Sequence, residues 1–270
     1  MHEAPIITLG GFFRLDLSIA ITLFVTCAIV FLIARLATRN LSVTNPSKMQ
    51  NFLEWTVDFV RGIVSSTMDM KKGKVFVSLG LTLIMFIFVA NMLGLPLTIV
   101  THHEHEFKIF GQAVSPEVFE AYEAESHGEG ADSEGAHHAP EFAWWKSPTA
   151  DASVTMGLSL IVFLLVHFLG MRYNTKAYFK HYLEPFPVFL PIHLVEKLAN
   201  LLTLGMRLFG NLFAGEVLIA TLLGAGFFGI PALVVWQGFS VFVGAIQAFV
   251  FVMLTMVYLA QSLESHDDHH

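Results

Sequence analysis

A single cysteine, Cys27, in 270 residues excludes a disulfide framework and any cysteine-built zinc or iron–sulfur site. Charge is also scarce: Asp, Glu, Lys and Arg make up 14% of the chain, where a soluble domain carries about 25%. With 54% hydrophobic residues and a mean hydropathy of +0.63, a water-soluble globule is excluded. Fifteen Lys and Arg against 22 Asp and Glu leave no basic field for a nucleic-acid partner. No Gly-x4-Gly-Lys-Ser/Thr loop occurs, so nucleotide phosphates are not expected to bind here.

Apolar runs fill the space that charge leaves. Windows at 16–35, 75–100, 150–171, 191–225 and 231–262 are each long enough to cross a hydrocarbon core of ~30 Å as a helix. The first reads as a retained helix, because Glu3 and Asp16 stand where a cleaved leader would be basic. Met49 to Met70 mixes Phe52, Val57, Val60 and Val64 with Glu54, Asp58 and Arg61 at helical spacing, which predicts an amphipathic helix at the membrane surface. The expected fold is therefore an all-α membrane protein with five long membrane helices and one interfacial helix, residues 1–270 forming one membrane domain.

Lys and Arg gather in the 36–74 and 172–190 connections, whereas 101–148 holds only Lys108 and Lys146. The positive-inside rule then puts the first two in the cytoplasm, the N-terminus outside and the C-terminus inside. Trp55, Trp144, Trp145 and Trp236 fall near the predicted interfaces. Residues 102–142 form an acidic, His-rich outer insert: 101–142 carries ten acids against one lysine, so the rest of the chain is at +2 within a total of −7. Its glycines predict a mobile loop, and its six histidines show no metal-ligand spacing.

The last two windows are too long to stand upright. Residues 191–224 as a helix reach ~50 Å, which calls for a hairpin, 191–263, that is strongly tilted or lies along the membrane plane. Arg207 sits in its middle among Leu204, Met206, Leu208, Phe209 and Leu212, at a cost of roughly 2.5–3.5 kcal/mol. Arginine stays charged at any relevant pH, so it cannot escape by losing its proton. At 100° per residue, Glu196, Asn200, Thr203 and Asn211 fall within about 40° of Arg207, a polar stripe rising from the cytoplasmic end. Glu216 is turned by about 180° and lies nearer the outer end, on a different aqueous route. In the final helix Ser240, Gly244, Gln247, Phe251 and Tyr258 share a face, and Gln247 lies at the height of Arg207 in an antiparallel pair. A fixed mid-membrane cation blocks a straight cation leak and attracts a carboxylate supplied by a partner.

The run Leu204-Gly205-Met206-Arg207-Leu208-Phe209-Gly210-Asn211-Leu212-Phe213-Ala214-Gly215-Glu216 resembles the signature of the subunit a family of F-type ATP synthases. Ile246-Gln247-Ala248-Phe249-Val250-Phe251, Leu254 to Leu259, Phe88 to Pro96 and Ser147 to Asp151 are similar to other stretches of that family, in its bacterial, Bacillus-like form. The resemblance implies an ion-translocating stator in the plasma membrane, its hairpin lying against the c-ring, with subunit b and the rest of the F0F1 complex as partners. It implies no catalysis of its own, no cofactor and no metal. Arg207 would face the ring carboxylate and separate two half-channels, with Asn211 and Gln247 beside it. Glu216 would line the outer half-channel with Asp151 at its mouth; Glu196, Asn200 and Thr203 would line the inner one, and Ser240 and Tyr258 the facing side of the final helix. Ser240 departs from the pattern, standing where some members carry a histidine, and so does the outer insert, where members usually have a short loop.

A self-contained secondary cation transporter is the alternative, and the lack of an internal repeat counts against it. Gly224-Ala225-Gly226-Phe227-Phe228-Gly229 matches a dinucleotide fingerprint by letter, without the βαβ context that would give it meaning. The His266–His270 tail and the Lys180-His181 pair read as a frayed end and a positive-inside anchor.

Overall fold

A computed structural model of the chain describes residues 4–9, 13–95, 100–103, 108–109, 112–128, 140–183 and 190–264. The His266–His270 tail, the side chains of Lys180 and His181, and most of the insert's histidines lie outside the described residues. Among the described residues five helices are long and apolar enough to cross a membrane. In chain order the helices are α1 (Leu17–Thr38), α2 (Lys48–Thr67), α3 (Met70–Gly73), α4 (Val77–Leu93), α5 (Pro116–Gly128), α6 (Ala152–Leu183), α7 (Leu190–Gly224) and α8 (Gly229–Glu264). The chain is thus an all-α membrane protein, with strands confined to short antiparallel pairs.

In α1 the usual inside and outside are exchanged. Ser18, Thr22 and Thr26 are fully buried, while Phe24 and Phe31 are 75% and 70% exposed. Where lipid replaces water an outward Phe costs nothing, and small residues let helices approach closely. Thr22 and Thr26 donate their hydroxyls to the carbonyls of Ser18 and Thr22, four residues back, which satisfies both threonines on that face.

The second window ends earlier than hydropathy predicts. Helix α4 stops at Leu93, because Gly94 and Pro96 follow and neither continues a helix. Asp69 caps the turn that leads into it. Helix α6 runs past its apolar window to Leu183, since helix propensity does not end where the bilayer does. The inner face of α2, Val60, Ile63 and Val64, joins a core with Leu83 and Ile87 of α4, Leu204, Leu208 and Leu212 of α7, and Phe251, Val252, Met256 and Leu259 of α8. Trp55 and Phe59, stacked on its other side, are exposed.

Helices α7 and α8 are 35 and 36 residues long and pack against each other through a turn containing Gly226 at φ 62°. Pro231 lies in the first turn of α8, where its missing N–H is not needed. Ser159 of α6 donates to Leu201 O at 2.6 Å, tying α6 to α7.

Outside the long helices, β1 (Ile6–Leu9) and β2 (Phe13–Asp16) form a hairpin, β3 (Val100–His102) pairs with β6 (Glu141–Ala143), and β4 (Lys108–Ile109) pairs with β5 (Gln112–Ala113). Where the composition of the insert predicts a loop, its described part therefore includes strands and α5. Ser115 fixes it to the hairpin: its N–H donates to Ile6 O at 2.8 Å and its hydroxyl to Ala4 O at 2.9 Å, while Ile6 N–H returns a bond of 2.9 Å to Ser115 Oγ. Arg14 adds an ion pair to Glu117 at 2.8 Å.

Candidate functional site within the long helical hairpin

Leu204, Leu208 and Leu212 repeat every four residues along α7 and are all buried. One position earlier in each turn stand Thr203, Arg207 and Asn211, and all three are exposed. A helix places such neighbours about 100° apart, so one stripe packs into the bundle while the next faces out of it. Arg207 therefore directs a permanent positive charge away from its own protein. Among the described residues no carboxylate comes within ion-pair distance of it. Glu196 is exposed nearer the start of the helix, within 3.8 Å of His193, and Asn200, between Glu196 and Arg207, is half-buried.

Gln247 of α8 is buried and donates from Nε2 to the backbone carbonyl of Arg207 at 3.5 Å. The two residues that sequence geometry sets at the same height do meet, through the arginine's backbone. Tyr258 lies half-buried about three turns further along α8.

Glu216 has different surroundings. It lines a cavity of about 320 Å³ bordered by the end of α4, the turn before α6, and the halves of α7 and α8 nearer their connecting turn. Its polar wall is Asn91, Ser147, Asn211, Glu216 and Ser240; its apolar wall includes Leu212, Ile219, Trp236, Phe239 and Val243. Ser147 N–H donates to Glu216 Oε1 at 3.3 Å. Asp151 accepts from Ser153 N–H at 2.8 Å as the cap of α6 and lies 3.8 Å from Lys146.

Sequence reasoning missed the network that holds this cavity in shape. Asn91 is fully buried; it donates to Gly244 O at 2.9 Å and accepts from Thr149 Oγ1 at 2.7 Å. Thr149 and Ser147 share a hydroxyl contact of 2.8 Å, and Ser147 donates to Ala90 O at 2.9 Å. Trp145 Nε1 donates to Leu93 O at 2.9 Å, and Gln237 of α8 donates to Leu95 O. At Gly94 any side chain would collide with the Ser147 backbone, so the helix end and the turn can meet only through glycine. Asn91, Gly94, Ser147 and Thr149 lie in the Phe88–Pro96 and Ser147–Asp151 stretches already singled out by resemblance, which was the available signal; Trp145 and Gln237 lie outside them.

The fold and site define an all-α, multi-pass membrane protein with ionisable residues set within its long helices. Comparison makes this specific. A sequence model of the ATP synthase A chain matches residues 20–260. The chain is 45% identical over 274 residues to ATP synthase subunit a of Anoxybacillus flavithermus, covering 98% of this chain and 99% of that one. It is 44% identical to the subunit a of Priestia megaterium, covering 98% of each, and 43% identical to that of Bacillus subtilis, covering 96% of each. The chain belongs to the ATP synthase A chain family, and its role is that of a multi-pass bacterial membrane subunit in the stator of the F0 sector of an F-type ATP synthase.

Proposed function

We propose that the chain is non-catalytic and couples ion flow to rotation of a c-ring through two offset aqueous half-channels. Arg207 meets the ring carboxylate. A neutral, protonated ring site enters lipid freely, whereas an ionised one is held by the arginine, so the ring turns only when a proton is delivered on one side and removed on the other. Glu216 and Asp151, with Ser240 across the cavity, serve the outer route; Glu196, Asn200 and Thr203 serve the inner one. Asn211 and Gln247 flank Arg207, and Tyr258 lines α8. Residues 191–263 are the working hairpin of a single membrane domain, and 102–142 is its outer excursion. The N-terminus lies outside and the C-terminus in the cytoplasm, with subunit b beside the ring as the other membrane partner.

One observation carries the reading: a mid-helix arginine exposed on a face of α7 whose adjacent stripe is buried. Such a charge calls for a carboxylate from another chain. Glu216, in a cavity whose wall reaches Asn211 one turn from Arg207, supports a second route that ends beside the arginine. The test is ATP synthesis in inverted vesicles carrying Arg207→Leu. Loss of synthesis with the complex still assembled is expected; a wild-type rate overturns the reading.

A further inference from the structure

Lys146 holds together the outer ends of two helices. Its Nζ lies 2.8 Å from Asp16 Oδ2 and 3.8 Å from Asp151 Oδ2. The three side chains are 26%, 15% and 24% exposed, so solvent screens them less than a surface pair. Asp16 also caps α1, accepting from Ser18 N–H at 2.9 Å and Ile19 N–H at 3.3 Å through its other oxygen. One residue beyond Lys146, Ser147 presents its N–H to Glu216. At 3.3 Å that bond is long, so a small shift of the turn breaks it.

We propose that Lys146 is a positioning residue of the outer half-channel: by bridging Asp16 and Asp151 it pins the turn before α6 to the start of α1 and keeps Ser147 N–H on Glu216. This rests on the reading of Glu216 given above. Among the described residues, the charged groups around it are Asp16 from α1, Asp151 at the cap of α6 and, behind Ser147, Glu216 from α7. Two carboxylates at a channel mouth would hold a passing cation; the lysine occupies that place and leaves the mouth open to exchange.

Passive proton conduction, measured against external pH in vesicles stripped of the soluble sector and normalised to assembled complex, tests this. Asp16→Asn keeps the helix cap, since Asn caps as well as Asp, and removes only the ion pair. Lys146→Met and Asp16→Asn should each slow conduction roughly threefold to tenfold. The double variant should be no slower than the worse single one, and Lys146→Arg should stay near wild type. The pH of half-maximal conduction should rise in Lys146→Met and fall in Asp16→Asn, because one removes a cation and the other an anion beside the same route. A purely structural tie would lower the rate without moving that pH. Wild-type profiles in both variants, equal slowing with no pH shift, or failure of both to assemble would each overturn the proposal. Glu216→Gln in the same vesicles separates the two readings: unaltered conduction there removes the half-channel itself, whereas blocked conduction there beside an unaltered Lys146→Met removes only the role of Lys146.

Discussion

Arg207 and Leu208 are adjacent in the chain and have opposite surroundings, the leucine 1% exposed and the arginine turned out of the bundle. Its delocalised fork keeps its charge in an apolar setting; a lysine ammonium is compact, strongly hydrated and able to lose its proton. Arg207→Lys should therefore fail to restore coupled synthesis, with a loss of about a hundredfold, the rate equivalent of the 3 kcal/mol or so at stake when one partner of a desolvated pair is removed. ATP synthesis in energised vesicles, compared with the amount of assembled complex, measures it. Asn91 offers the complementary case of a residue that supports the site without touching an ion. Asn91→Leu removes the side-chain donor to the Gly244 carbonyl and the acceptor of the Thr149 hydroxyl at a fully buried position. A destabilisation of about 1–3 kcal/mol is expected, read as a lower temperature of irreversible dissociation of the detergent-purified complex. Sequence displayed Arg207 because its cost in lipid is large and local. It did not display Asn91, Ser147 or Thr149, each of which reads alone as an ordinary helix-end or turn residue. Their meaning comes from three segments meeting.

At the scale of elements, Glu216 and Glu196 stand on opposite faces and toward opposite ends of α7. Cysteines placed at the two positions in a Cys27→Ser background should react with membrane-impermeant thiol reagents from opposite sides, and labelling of both from one side would reverse the half-channel assignment. The Cys27 change is needed because that thiol is exposed on α1. Hydropathy located every long helix, since an apolar run of bilayer length is a direct signal. It misjudged ends: α4 stops short at Gly94 and α6 continues to Leu183, because hydropathy registers the solvent and not the backbone. Residues 112–128 were hidden for another reason. Acidic composition argues against a buried core, but Ser115, through its N–H and its hydroxyl, and Glu117, through Arg14, fasten this segment to the N-terminal hairpin by specific bonds that composition does not register.

At the scale of the molecule, that fastening governs how the insert should be tested. Deleting it would release the hairpin and, through Asp16, the turn held by Lys146. Converting the acids of 104–134 other than Glu117 to amides removes charge alone. If the insert gathers cations near the inlet, synthesis should fall in the amide variant at alkaline external pH and low salt, and should match wild type at ~0.15 M ionic strength, where the Debye length is only ~8 Å. Equal rates across pH 7 to 10 in dilute buffer would leave the charge without a part in transport. The cavity at Glu216 has a further consequence, electrical in kind. If water fills it from one side and the polar stripe below Arg207 from the other, the insulating layer between them thins from ~30 Å to the few ångströms around Arg207. The membrane voltage is then focused there. A charge crossing that short septum gains nearly the full ~2.3 kcal/mol per 100 mV, so in the proposed mechanism the field acts where the ring carboxylate would change state rather than being spread along a hairpin about 50 Å long.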